Sequence, residues 1–339
     1  MRKKLLVLAF ILISFNYSSA QQVAEIGFAS GVVNYVGDLG NERYLPYSSA
    51  SPGYQLTLRN ILSNNGLSGK VNRPFSLELR FSWHRLQYDE TQAIGNKKGV
   101  ELRNYLRGIG FRNDLFGASM NVTYTFYSKR FSSQQQKFCY FLLAGVGVYH
   151  GNPTADLFNG EATLANRYHN WSDGTIRDAP EKVNPQANII GKDGEYETNL
   201  RDWKTEAQGI NKEFAQNKPY HNTNIGFPLG IGVRYGISNK IRLSMELDYY
   251  YFLTDYLDDV SDRYATYNEL KTSFPDPEQY EIAKYISDPT GKGTNGFIGS
   301  VTSPRGNSNK NDGYTFVSIE VAYQLIVKKK ILWNNFSKH

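Results

Sequence analysis

Phe75-Ser76-Leu77-Glu78-Leu79-Arg80-Phe81-Ser82-Trp83-His84 alternates without a break: each odd-numbered residue is apolar and each even-numbered one is polar or charged. In an extended strand this period puts one kind of residue on each face. About 9–11 residues is the length a tilted strand needs to cross a bilayer. A glutamate and an arginine opposite a run of Leu, Phe and Trp suit a wall with lipid outside and a polar interior. That is the pattern of a transmembrane β-barrel.

The pattern recurs. Eight strands are predicted, at about 23–33, 53–62, 75–88, 116–128, 138–149, 225–237, 241–254 and 314–326. In the seventh, Leu243, Met245, Leu247, Tyr249 and Tyr251 alternate with Arg242, Ser244, Glu246, Asp248 and Tyr250. The eighth sets Thr315, Val317, Ile319, Val321, Tyr323 and Leu325 against Phe316, Ser318, Glu320, Ala322 and Gln324. The fifth is apolar on both faces, with Gly145 and Gly147 sharing one of them. The fold class expected is all-β, an eight-stranded antiparallel transmembrane barrel.

The predicted connections segregate by length. Those after strands two, four and six are short (63–74, 129–137, 238–240), whereas those after strands one, three, five and seven are longer, up to about 150–223 and 255–312. Short turns at one end and long loops at the other, with both termini on the periplasmic side, are what outer-membrane barrels show. The two longest loops are polar and rich in Gly and Asn, and within them 200–217 (Leu200, Trp203, Ala207, Ile210, Phe214) reads as a short helix.

Composition agrees. Of 339 residues, 40% are hydrophobic and 14% aromatic, led by 25 Tyr, and the mean hydropathy of −0.51 is too low for a helical membrane protein. Aromatics favour strands and interfacial girdles. The net charge of +6 is spread along the chain with no basic stripe, which argues against nucleic acid. Arg2, Lys3 and Lys4 precede an apolar run, Leu5 to Phe15, and a small-residue cleavage site at Ser18-Ser19-Ala20. Residues 1–20 read as a secretory leader and 21–339 as the mature barrel with a basic tail, 327–339. The single cysteine, Cys139, excludes an intramolecular disulfide.

On this reading Glu25, Arg59, Glu78, Arg80, Arg234, Arg242, Glu246, Asp248 and Glu320 point inward, four cations against five carboxylates. An eight-stranded barrel is just wide enough for side chains to fill it. Buried charges must pair, so an interlocked ion network in a plugged barrel is expected. An arginine moved to the lipid face at mid-bilayer would cost roughly 2–4 kcal/mol, which fixes the strand register.

Chemistry-bearing motifs are scarce. Asp255, Asp258, Asp259 and Asp262 could hold calcium, but their spacing is not that of an EF-hand loop, and a solvated loop base is the weightier reading. His84, His150, His169 and His221 lack the spacing of a zinc site. Gly145-Val146-Gly147 and Gly230-Ile231-Gly232 open no helix, so glycine in a narrow barrel wall explains them better than a nucleotide loop. No Gly-x-Ser-x-Gly elbow occurs. Neither a cofactor nor enzymatic activity is expected. Lys70, Arg73, Lys129, Arg130, Lys137, Lys240 and Lys328-Lys329-Lys330 make the short-turn side basic, suited either to an acidic periplasmic partner or to keeping turns at the aqueous boundary.

Residues 25–40, with Asn34-Tyr35-Val36-Gly37-Asp38, and the block Leu253-Thr254-Asp255-Tyr256-Leu257-Asp258-Asp259-Val260-Ser261 resemble motifs of a Bacteroidetes family of small outer-membrane barrels. Gly145 to Tyr149 followed by Asn152-Pro153 is similar to a third block of that family. The family includes the PorG component of the type IX secretion and gliding machinery. The resemblance implies an outer-membrane location among lipids and lipopolysaccharide. It also implies a structural role tethering a PorK–PorN-type periplasmic ring, and outer strand ends braced by Asn34, Tyr35, Gly37, Asp38, Asp255, Tyr256, Leu257, Asp258 and Asp259. The two long loops and the basic tail exceed the family's short form. The alternative is a narrow channel or a surface binder that uses its long loops.

Overall fold

The computed structural model describes residues 23–40, 49–61, 74–91, 100–126, 137–210, 219–238, 240–292 and 304–326. The leader, the basic tail, residues 211–217 of the expected helix, and Lys70, Arg73, Lys129 and Arg130 lie outside them. Eight strands close on themselves: β1 Val23–Val36, β2 Ser51–Ile61, β3 Phe75–Asp89, β4 Gly110–Phe126, β5 Phe138–His150, β6 Thr223–Gly236, β7 Ile241–Phe252 and β8 Gly313–Ile326. Each pairs antiparallel with its neighbours in sequence, and β8 returns to β1 in a register running from Val23 opposite Ile326 to Val36 opposite Gly313. Closure leaves the wall no free edge, which is what lets strands span lipid.

Burial follows the period of two. In β3, Ser76, Glu78 and Arg80 are buried, and Phe75, Leu77, Leu79 and Phe81 face out. Exposed Ile, Leu, Val and Met continue this apolar surface around every strand. Aromatic side chains gather at its two edges. Tyr54 stacks on Trp83 towards the long-loop end, with ring centres 5.6 Å apart. Phe75–Tyr124 and Phe138–Tyr140 pair edge to face at the short-turn end. A greasy belt between aromatic girdles around a charged interior is the exterior of a membrane-spanning barrel. Among the described residues no helix is long and apolar enough to cross a membrane.

The described parts of the long connections pack together over the mouth. They carry helices α1 Val100–Arg107, α2 Tyr267–Ser273 and α3 Pro277–Ser287. A two-residue strand at Thr154–Ala155 adds the 151–222 loop to β4 at Arg112. The hydrophobic core lies at this end, where Leu86, Phe111 and Leu115 of the barrel meet Leu157, Phe158, Leu257, Val260 and Ile286 of the loops. The helix expected over 200–217 is not formed in its described part. Only a single 3₁₀ turn, Leu200–Trp203, is present, and it ends at Lys204 with φ 50°. Ala207, with φ 61°, takes the same left-handed conformation, which an α-helix excludes.

Candidate functional site

Inward residues fill the barrel in two storeys. Along β7 they run Glu246, Asp248, Tyr250, Phe252 towards the long-loop end, so charge lies below and aromatic rings above. In the lower storey, buried Arg59 reaches Glu25 (3.1 Å), Glu320 (3.1 Å) and Glu78. Buried Arg80 meets Glu78 (2.8 Å), Glu246 (3.0 Å) and Asp248 (3.3 Å). Glu78 thus lies between the two guanidinium groups, and Thr123 donates to it as well at 2.7 Å. Arg242 bonds Glu25 at 2.6 Å from the short-turn end. Arg234 stands furthest off, 3.9 Å from Glu78, with its guanidinium over the Phe141 ring. Glycine on the inner face makes the room: a Cβ at Gly230 would overlap Asp248, and one at Gly145 would overlap Asn121.

The upper storey is aromatic. Tyr250 stacks on Tyr314 with ring centres 4.5 Å apart, and Tyr149 and Phe252 pack against them. His84, near the outer end of β3, is buried in this layer, its Nδ1 2.8 Å from the Tyr314 hydroxyl. The Tyr250 hydroxyl donates to Gln55 at 3.1 Å.

Above the rings, the segments 34–38 and 255–259 meet. The Tyr35 hydroxyl at the top of β1 donates to Asp258, and its oxygen lies 3.4 Å from Asp312. The Leu257 amide donates to the other oxygen of Asp312 (2.9 Å), and the Leu257 carbonyl accepts from Asn113 of β4 (2.8 Å). Any side chain at Gly37 would strike Tyr35 and Asp312. Asp38 accepts from the Asn307 amide at 2.6 Å. Asn34 is buried and pairs with Thr315 in the β1–β8 ladder.

Asp259, at φ 68°, turns away from that cluster. It accepts from Thr205 (2.6 Å) and Tyr220 (2.8 Å) and pairs with Arg305 (3.3 Å). Tyr256 stacks on Tyr220, with centres 4.8 Å apart. Glu206 binds the second long loop to the first, accepting from the amides of Ser261 (2.9 Å) and Asp262 (3.1 Å) and pairing with Arg305 (3.3 Å). Burial pushes the Glu206 carboxyl up to about 7 against the pull of Arg305. Arg107, on α1, grips Glu90 at 2.6 Å and the carbonyls of Arg305 and Asp38.

The expected solvated loop base is therefore corrected: Asp255, Asp258 and Asp259 are buried. Among the described residues no three His, Cys, Asp or Glu are placed to share a metal ion. Glu90, Arg107, Glu206, Arg305 and Asp312 were not singled out from the sequence. Each lies outside the alternating segments, and only Glu90, immediately after β3, and Asp312, immediately before β8, have positions that mark them.

No protein-family model matches the chain, and no curated protein matches it in sequence. Among solved structures it is similar to Neisserial surface protein A, at 9% identity over 90% of this chain and 97% of that one, with a TM-score of 0.31. It is also similar to the outer membrane protein OprG from Pseudomonas aeruginosa (10% identity, 91% and 97%, TM-score 0.31). A third is a major outer membrane protein from Thermus thermophilus (11% identity, 89% and 99%, TM-score 0.32).

Proposed function

We propose that this chain is an outer-membrane barrel with an architectural duty: an anchoring or assembly component of the type IX secretion machinery that tethers a PorK–PorN-type periplasmic ring. The reading rests on the resemblance of residues 25–40, 145–153 and 253–261 to the barrel family that includes PorG. The observation that favours an anchor over a conduit is the filled interior, where Arg59, Arg80, Tyr250 and Tyr314 are fully buried beneath a cap of packed loops. A barrel whose described interior is filled by packed side chains holds rather than passes. The basic residues of the short-turn side, among them Lys137 and Lys240, are the face offered to a periplasmic partner.

Affinity capture of the full-length barrel from detergent-solubilised envelopes is expected to recover the ring lipoprotein and its partner. A deletion strain is expected to lose secretion and gliding; normal secretion in that strain would rule the role out. A second reading, a surface-binding barrel, is favoured by apolar Val183 and Ile189 standing exposed on the 151–222 loop. It predicts a cell-surface ligand that is lost when that loop is trimmed.

A further inference from the structure

Four carboxyl groups lie within electrostatic reach of one another at the mouth of the barrel, Asp38 from the loop after β1, Asp255 and Asp258 from the start of the loop after β7, and Asp312 from its end, with the Tyr35 hydroxyl between Asp258 and Asp312. Their hydrogen atoms can be counted. The Tyr35 hydroxyl has one proton, and Asp258 receives it. At 3.4 Å from the Tyr35 oxygen, Asp312 Oδ1 is too far for a good hydroxyl–carboxylate hydrogen bond, so the proton held by Asp258 does little for it. A lone pair of the hydroxyl faces the Leu39 amide.

Asp255 is served less well still. It is 7% exposed, and neither of its oxygens has a hydrogen-bond partner of good geometry, although the Ser261 hydroxyl lies close by. Its charged neighbours are acids, Asp38, Asp258 and Glu206, with Ser261 alongside. The nearby cations are committed elsewhere: Arg107 to Glu90 and two carbonyls, Arg305 to Glu206 and Asp259. Tyr256 and Tyr264, the other titratable groups of this face, are neutral phenols held above their ordinary range by burial. A buried carboxylate with no counter-ion and no well-placed donor is too costly to persist, and such a group takes up a proton instead.

We propose that protons hold the outer cap shut: Asp255 and Asp312 are neutral carboxylic acids in the closed cap, and their ionisation drives the loops after β1 and β7 apart. Burial, reinforced by Asp38 and Asp258, pushes the Asp255 carboxyl up to about 9 and Asp312 well above the carboxylate range. A carboxyl raised in the folded state stabilises it fully below the ordinary carboxylate range, near 3.8 for Asp255, and loses that contribution as pH climbs through about 9. Within the window, each proton retained only by the closed form weakens closure about tenfold per pH unit. This device does not depend on what the barrel binds, so its failure would leave the secretion reading untouched.

Hydrogen exchange of the full chain in detergent micelles tests it, with exchange times scaled to the intrinsic rate at each pH. Between about pH 6 and pH 9, protection of peptides spanning 253–262 and 304–312 is expected to fall at least about tenfold per pH unit. The 314–326 peptide of β8 should stay protected, and Asp255→Asn with Asp312→Asn should flatten the dependence. If the double variant fails to fold, each single variant is expected to remove about half of the slope. Equal protection at both pH values, or an unchanged slope in the folded variants, overturns the proposal. So does restoration of protection at pH 9 by calcium chloride, which would make the cluster a cation site.

Discussion

Arg80 on β3 and Asp248 on β7 stand on opposite walls of the barrel, and their side chains meet at 3.3 Å across its axis. The same guanidinium holds Glu246 at 3.0 Å and Glu78 at 2.8 Å. One cation thus ties the far walls together where a pore would run. Low dielectric makes such a bridge strong only while every partner is present, because each ion left alone bears its full desolvation cost.

Arg59 is the clearest place to test this. It neutralises Glu25, Glu78 and Glu320, all buried, from one position on β2. Arg59→Met is expected to destabilise the barrel by about 3–5 kcal/mol, because it strands buried carboxylates. Arg59→Met combined with Glu320→Gln should recover part of that loss. Urea unfolding in lipid vesicles, followed by the gel shift between folded and unfolded barrel, reads both.

The lipid face gives the converse test. Leu79 points outward between inward Glu78 and Arg80. Leu79→Arg places a guanidinium against acyl chains and is expected to cost about 2–4 kcal/mol if its depth is near the bilayer centre. Leu79→Ala loses only outward apolar area and should fold with a smaller penalty. A chain indifferent to Leu79→Arg in vesicle refolding would contradict the membrane reading of this wall.

The two faces explain how much was legible. Strand positions follow from alternation, because the barrel exterior must be apolar at every second residue and lipid tolerates no exception. The eight strands of the structure overlap the eight expected from that pattern. The cap obeys no such rule. Its residues pack by shape and isolated ion pairs, so Glu206, Arg305 and Asp312 left no periodic trace. Local chemistry marks α2 and α3, although no helix was expected in that loop. Thr266 and Glu269 form a reciprocal capping box, and Asp276 caps a helix that begins with Pro277. Over 200–217 the apolar spacing suggested a helix, but the left-handed backbone at Lys204 and Ala207 shows tertiary contacts prevailing over propensity.

Glu206 makes the dependence on such contacts measurable. Its carboxylate joins the 151–222 loop to Ser261, Asp262 and Arg305. Glu206→Ala leaves a buried Arg305 with less charge to face and two amides without their acceptor. A loss of about 3–5 kcal/mol is expected in the cap, with the strands intact. Limited proteolysis of the folded barrel should then cut within 253–262 where the parent chain resists.

The filled interior leads to the last prediction. Rings of Tyr149, Tyr250, Phe252 and Tyr314 seal the upper storey, and paired charges seal the lower one. Purified barrel in planar bilayers is therefore expected to carry no stepwise current. Tyr250→Ala with Tyr314→Ala removes the stacked pair but leaves Arg80 bridging Glu78, Glu246 and Asp248, so it alone should stay silent. Adding Arg80→Ala takes away the cross-lumen tie and leaves like-charged carboxylates to repel, and conductance should appear only then. Discrete channels in the unmodified protein would show that the storeys part under voltage, and an anchoring role would lose its main physical support.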